Sequence, residues 1–144
     1  MIADAKLLQK SLVESLFDPS CVVETAVPAL VDRELFADEH AHIALAVPKR
    51  RAEFGTARVC ARRALTRLGV APVSLVPTED RAPLWPNGVV GSITHTSNCC
   101  AVVVASARAQ RSLGLDIEQE KLLEPELLAM ICTARIVSLT GSSR

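Results

Sequence analysis

The stretch P-K-R-R-A-E-F-G-T-A-R-V-C-A-R-R-A-L-T-R-L, Pro48–Leu68, decides how this chain is read. Proline suits a helix start, because the N–H it lacks would have no partner there. Gly69 follows as a C-cap, and Pro72 stands just beyond. At about 100° per residue, Phe54, Ala57, Ala61, Ala64, Leu65 and Leu68 share one face. Arg51, Gly55, Arg58 and Arg62 share another, about a quarter turn away. One face is built to pack, and the adjacent one presents a row of guanidinium groups. Gly55 within that row is expected to let a ligand approach the backbone closely.

Upstream, Leu7, Leu8, Leu12, Val13 and Leu16 recur at helical spacing over residues 3–16, and Asp18-Pro19 ends that run. Cys21–Val27 and His42–Val47 are short apolar or β-branched runs that read as strands. The stretch between them, with Asp32, Glu34, Asp38 and Glu39, fits helix or loop equally. Downstream, Pro72, Pro77, Pro83, Pro86 and Gly88 make residues 72–88 an irregular connection. Three strands are expected next, Val89–Thr94, Cys100–Ser106 and Ser112–Glu118. They are separated by gaps of hairpin length and form an antiparallel meander. A helix over 119–130 carries Leu122, Leu123, Leu127 and Leu128, and the tail from Ser138 is small and polar. The fold class is α+β.

The 144 residues suffice for one domain, and 49% hydrophobic against 22% charged residues indicates a folded chain. With 3% aromatics and no Tyr, the core must be aliphatic. The formal net charge is zero, so nucleic acid is not an expected partner. The charge is unevenly spread, however. Residues 1–47 hold eight acids against three bases, residues 48–68 seven bases against one acid, and residues 116–126 five acids against one base. For an arbitrary protein, such runs are most often solvated helix faces. The N-terminus lacks a basic region followed by an apolar run, and no stretch approaches the ~20 apolar residues that span a bilayer. The five cysteines form no C-x-x-C pair, so reduced thiols in a cytoplasmic protein are expected, with no zinc or disulfide framework.

Two groups of residues could carry chemistry. Asp116 and Glu118 stand two apart on an expected strand, so both carboxylates project to one side and Ile117 to the other. Paired hard oxygen ligands suit Mg²⁺, which completes its octahedron with water and substrate phosphate. Alone, such a pair is usually solvent-facing. Ser92, Thr94 and His95 close the first strand of the meander and could hydrogen-bond a phosphate. A serine hydrolase is argued against. Ser92 has no nucleophile elbow, and a serine and a histidine three apart on a strand point to opposite faces. No P-loop pattern occurs either.

Taken together, the motifs are more specific than any one of them. The chain reads K-R-R-A-E-F-G-T-A-R-V-C-A-R-R-A-L over 49–65, R-A-P-L-W-P-N-G-V-V-G-S-I-T-H-T over 81–96 and L-G-L-D-I-E over 113–118. This resembles the 4'-phosphopantetheinyl transferase superfamily, in its two-lobed surfactin and enterobactin type. The blocks W-P-x-G-x-x-G-S-I/L-S/T-H and G-L/I/V-D-x-E are that family's signatures. The resemblance is strong over about residues 45–118 and loose elsewhere. It implies one lobe of that fold over 1–111, and over 112–144 the first strand of a second, incomplete lobe. It implies transfer of 4'-phosphopantetheine from coenzyme A to a serine of an apo acyl- or peptidyl-carrier protein, releasing 3',5'-ADP, as in nonribosomal peptide, polyketide or siderophore synthesis.

Residue by residue, the resemblance assigns coenzyme A phosphates to Arg50 and Arg58 first, then Arg51, with Lys49 nearby. Arginine grips phosphate through two parallel hydrogen bonds, as lysine cannot. His95, with Ser92 and Thr94, matches the family's nucleotide-phosphate contact. Asp116, Ile117 and Glu118 match its Mg²⁺ segment, and Asp116 also faces coenzyme A. Asp116, Glu118 and His95 are the expected catalytic set. The family continues with W/F-x-x-K-E-A/S, whose Glu is a metal ligand and base, and no Lys-Glu pair follows Glu118 here. General-base help is typically worth ~10²–10⁴ in rate. A chain that ends before this motif is expected to lose most activity, or to keep only coenzyme A or carrier-protein binding. It is also expected to expose an apolar face and a sheet edge, and hence to self-associate or be marginally stable.

Overall fold

The computed structural model describes residues 10–77, 85–121 and 130–135, with side chains over 10–77 and 85–116. After a helical segment at 10–14 come β1 (Val22–Ala26), a 3₁₀ turn (Asp32–Glu34), α1 (Ala37–Ile43) and α2 (Pro48–Leu68). Then follow β2 (Val89–His95), β3 (Cys100–Ser106), β4 (Asp116–Lys121) and β5 (Met130–Arg135). The chain is α+β, as its sequence implies. Among the described residues, no helix is long and apolar enough to cross a membrane.

The run C-A-V-V-V-A-S at 100–106 is apolar without alternation, as a strand buried on both faces must be. β3 is accordingly the central strand, antiparallel to β1 on one side and to β2 on the other. Its even positions, Cys100, Val102 and Val104, pack on Ala57, Cys60, Ala61, Ala64 and Leu65 of α2. The small residues of α2 let the helix lie close to the sheet. The odd positions, Ala101, Val103 and Ala105, pack on Val13, Val23, Leu113 and Leu115.

The ends of α2 follow the sequence. Pro48 takes the first helical position, and Gly69 adopts φ 90°. The Gly69 N–H donates to Thr66 O at 3.0 Å and the Val70 N–H to Leu65 O at 2.9 Å. Two such bonds close a helix in the Schellman manner and need a residue free to take a positive φ.

Three expectations are corrected. His42–Val47 is not a strand: His42 and Ile43 finish α1, and the following turn leads into α2. Glu39 and Ile43 are the buried residues of α1, and their spacing of four puts both on one helical face. The third strand begins at Asp116 rather than Ser112, and it does not continue the meander. Leu113 and Leu115 are committed to the core beneath β3, and β4 instead pairs with β5 in a separate two-stranded sheet. Residues 119–130 are not one helix, because Gln119, Glu120 and Lys121 oppose Cys132, Ile131 and Met130 in that ladder. The leucines expected on that helix fall at 122–129, outside the described residues. Residues 3–9 of the first expected helix, Pro83 and the polar tail also lie outside them. Cys21, Cys60 and Cys100 are free thiols, whereas Cys99 is disulfide-bonded, contrary to the expectation of reduced thiols throughout.

The glycine and tryptophan of the 81–96 block are there for each other. A Cβ at Gly91 would stand 2.7 Å from Trp85 Cζ2, 2.8 Å from Cε2 and 3.0 Å from Val103 O. No real Cβ sits that close to an indole ring, so only glycine lets the ring lie on β2. Gly91→Ala is therefore expected to displace the indole and to cost about 1–3 kcal/mol, the usual penalty for overpacking. Trp85 is the sole tryptophan, so its emission should move to longer wavelength as the denaturation midpoint falls. Unchanged emission and midpoint would refute the packing argument.

Candidate functional site

The acidic N-terminal third and the basic α2 are partners rather than separate solvated faces. Arg51 pairs with Asp32. Arg62 Nη1 lies 2.5 Å from Glu39 Oε2, and Arg67 Nη1 2.5 Å from Glu24 Oε2. Thr56 fastens the same segment, accepting from the Ala29 N–H at 2.9 Å and donating to Ala29 O at 3.1 Å. Gly55 accordingly serves packing and not ligand approach. It is buried, and a Cβ there would meet Val31 Cγ2 at 3.0 Å. The arginine row is covered over most of its length by residues 29–39.

Two parts of α2 stay open: its C-terminal half, where Glu24, Glu34, Arg62 and Arg67 line a cavity of about 490 Å³, and its N-terminal half on the side of β2. A cavity of about 600 Å³ opens there, lined by His42, Arg50, Phe54, Ala57, Arg58, Pro77 and His95. Four stretches of chain supply its wall. α2 gives four residues at helical spacing, α1 gives its C-terminal His42, the 72–77 connection gives Pro77, and the end of β2 gives His95. Phe54 is held between His42, at a ring separation of 5.2 Å, and the Arg58 guanidinium, 4.2 Å from the ring centroid. His95 Nδ1 is 3.7 Å from Glu53 Oε1 on α2.

Arg58 is the most constrained cation of the site. It is 6% exposed, and its Nε donates to Leu75 O at 2.6 Å. Burial pulls its pKa down to about 10, against the opposing pull of Glu39. At neutral pH the side chain is therefore charged and poorly hydrated, and an incoming anion regains what water no longer supplies.

The structure brings Arg50, Arg58 and His95 of the sequence-derived set into one wall. Arg51 is drawn off by Asp32, and Lys49 is exposed outside the cavity lining. Strand alternation separates His95 from Ser92 and Thr94, which face away from α2. Ser92 Oγ there accepts the Leu115 N–H at 3.3 Å. That bond ties the approach to β4 to β2, and Asp116 is not among the residues that line the cavity. The strand expected for the D-x-E pair is present at 116–121, while the side chains of Ile117 and Glu118 lie outside the described residues. Among the described residues, no cluster of three metal-ligating side chains occurs.

Sequence reasoning missed His42, Phe54 as a ring support, and Glu39. Glu39 carried a readable signal. It stands four residues before Ile43 on a short helix, so burying one buries the other, and a buried carboxylate demands cationic partners.

The arrangement is an α+β lobe with a cation-lined cavity between an arginine-bearing helix and a strand end. Residues 38–105 match the family described as the 4'-phosphopantetheinyl transferase N-terminal domain. Among curated proteins, the chain is 52% identical over 97 residues to the 4'-phosphopantetheinyl transferase Svp of Streptomyces mobaraensis, covering 67% of this chain and 39% of that protein. It is 42% identical over 118 residues to the 4'-phosphopantetheinyl transferase Npt of Nocardia iowensis, covering 74% and 53%. It is 44% identical over 89 residues to the 4'-phosphopantetheinyl transferase PptT of Mycobacterium tuberculosis, covering 62% and 39%. The chain belongs to the 4'-phosphopantetheinyl transferase superfamily, and it spans between 39% and 53% of the length of these relatives.

If Arg58 is the main anion contact, Arg58→Gln should weaken binding of a phosphate-bearing ligand such as coenzyme A. Hydrogen bonds to charged groups are worth about 1.5–3 kcal/mol, or roughly 10- to 150-fold in Kd. The pH dependence has a defined sign. A guanidinium with a pKa of about 10 loses its charge as pH rises through that value, so affinity should fall there, and binding near pH 10 should take up protons. Calorimetry in buffers of different ionisation heat measures both effects. Equal proton uptake in the wild type and Arg58→Gln would place the titration elsewhere.

Proposed function

We propose that this chain binds coenzyme A through the cavity on α2 and contributes that site to Mg²⁺-dependent transfer of 4'-phosphopantetheine to a carrier-protein serine. The observation that supports this most is the convergence of Arg50, Arg58 and His95 on one cavity. They come from two of the three sequence blocks that carry the resemblance, within the residues that match its N-terminal domain. Coenzyme A carries three phosphates, and a buried arginine, an exposed arginine and an imidazole are chemically suited to them. The shallow aromatic support of Phe54 and His42 suits the flat face of a nucleobase.

In this reading the serine hydroxyl gives up its proton to water, and its oxygen attacks the phosphorus that bears the pantetheine arm. The bond to the bridging oxygen breaks, and 3',5'-ADP leaves with the electron pair. Asp116, Ile117 and Glu118 would hold the metal. The fit rests on the hard oxygen of Asp116 at the start of a strand that the Leu115–Ser92 bond ties to β2, the strand that ends in His95. When bound there, Mg²⁺ would neutralise charge on the leaving phosphate. Arg50, Arg58 and His95 would fix the nucleotide end, so that the diphosphate is presented to the acceptor in one orientation. A cytoplasmic setting and an acyl- or peptidyl-carrier partner, as in siderophore, peptide or polyketide synthesis, belong to the same proposal.

The test is to incubate the chain with an apo carrier protein, coenzyme A and Mg²⁺ and to read the carrier's intact mass, with Asp116→Ala as control. A gain of one phosphopantetheine, absent from the control, is the expected result. No gain, alongside retained coenzyme A binding by calorimetry, would leave a binding module and remove the transfer step.

A further inference from the structure

Glu39 is the one acidic residue of the described core, with a side chain at 0% exposure, and the site described above does not use it. Its carboxylate is fully engaged. Oε1 accepts the Phe36 N–H at 3.0 Å, and Oε2 accepts Arg62 Nη1 at 2.5 Å and the Leu75 N–H at 2.7 Å. Leu75 is also wholly buried, and the carbonyl of the same residue takes the Arg58 Nε–H at 2.6 Å. Arg62 continues the frame through Nη2 to Glu34 O at 3.0 Å. A carboxylate on α1 thus fixes residue 75, and residue 75 fixes the guanidinium of Arg58. With Nε committed to Leu75, the two terminal nitrogens of Arg58 are left for the cavity that the residue lines.

We propose that Glu39 is a positioning residue for Arg58, acting through the backbone of Leu75 to set the angle at which the Arg58 fork meets an anion. The proposal rests on the reading of the cavity as an anion site, but its geometry is independent of which anion binds. An arginine is chosen for two-pronged phosphate contact, and such contact is useful only if the plane of the fork is fixed. Phe54 holds that plane from one side by the 4.2 Å cation–π contact. The Leu75 carbonyl holds its edge, and Glu39 holds the N–H of that same residue. The same carboxylate supplies the negative charge that opposes loss of the Arg58 proton on burial.

The test uses the full chain in four forms: wild type, Glu39→Gln, Arg58→Gln and the double variant Glu39→Gln/Arg58→Gln. Affinity for coenzyme A is measured by calorimetry, and exchange of the Arg58 Nε–H with water by NMR. Contacting residues typically couple strongly enough that Glu39→Gln should weaken binding roughly 5- to 20-fold in the wild type. It should change little when Arg58 is already gone. In Glu39→Gln the Arg58 Nε–H should lose its protection while the backbone amides of α2 keep theirs. An equal loss of affinity in both backgrounds, or an Arg58 Nε–H still protected in Glu39→Gln, overturns the relay. If Glu39→Gln does not fold, Glu39→Met/Arg62→Met replaces the buried pair by apolar groups, an exchange that is often tolerated, and the same readings apply. If the wild type does not bind coenzyme A, the proposed function fails and the NMR exchange alone decides the relay.

Discussion

Burial of a cationic helix face is the constraint around which this lobe is arranged. α2 lies against β3 through small residues, and closeness on that side brings its arginine side under neighbouring chain. A guanidinium removed from water must be paired, and removing one partner of such a pair commonly costs about 3–5 kcal/mol. Glu39 and Arg62 answer that need at the centre, with the Glu39 carboxylate at 0% exposure. Asp32 and Glu24 answer it for Arg51 and Arg67 nearer the surface. The acidic N-terminal third is therefore fixed to α2 in a definite register, and the polypeptide from 29 to 39 becomes the cover of the helix.

The same constraint selects which cations remain for a ligand. Of the basic residues on α2, those that face the acidic segment are consumed in holding the fold. Arg50 and Arg58 face the other way, toward the end of β2, and there they meet His95. Arg58 belongs to both worlds, since its Nε is bound to the frame and its remaining nitrogens are not. A surface arginine would carry the same charge, but its orientation would be averaged over rotamers. The frame turns a charge into a directed contact.

Much of the fold was legible because its signals are local. Pro48 and Gly69 mark the ends of α2, the unbroken apolar run at 100–105 marks a strand buried on both faces, and β1 and β2 fall within a residue of their expected bounds. Where the reading failed, a partner outside the segment decided the outcome. Residues 119–121, expected to open a helix, instead join a ladder with 130–132. Ser112 to Leu115 looks like a strand, yet Leu113 and Leu115 serve the core rather than a neighbour's backbone. The arginine face looked open because sequence spacing shows which residues share a side of a helix and not what lies over that side.

For the candidate site, the residue types were legible and their grouping was not. Ser92, Thr94 and His95 are adjacent in sequence, but a strand alternates, and the imidazole faces the cavity while the hydroxyls face the other way. That alternation has a consequence for the whole motif. Gly91 admits the indole of Trp85 on the α2 side, and His95, two same-face positions further on past Ile93, reaches the cavity on that side. On the opposite side, Ser92 binds the Leu115 N–H and so brings Asp116 to the sheet. A single short strand thus serves as a two-sided fitting. One side lines the arginine-bearing cavity with His95, and the other receives the Leu115 N–H at the approach to β4. The alternation of Gly91, Ser92 and His95 thus gives each of the three a different neighbour: the indole, the Leu115 N–H and the cavity.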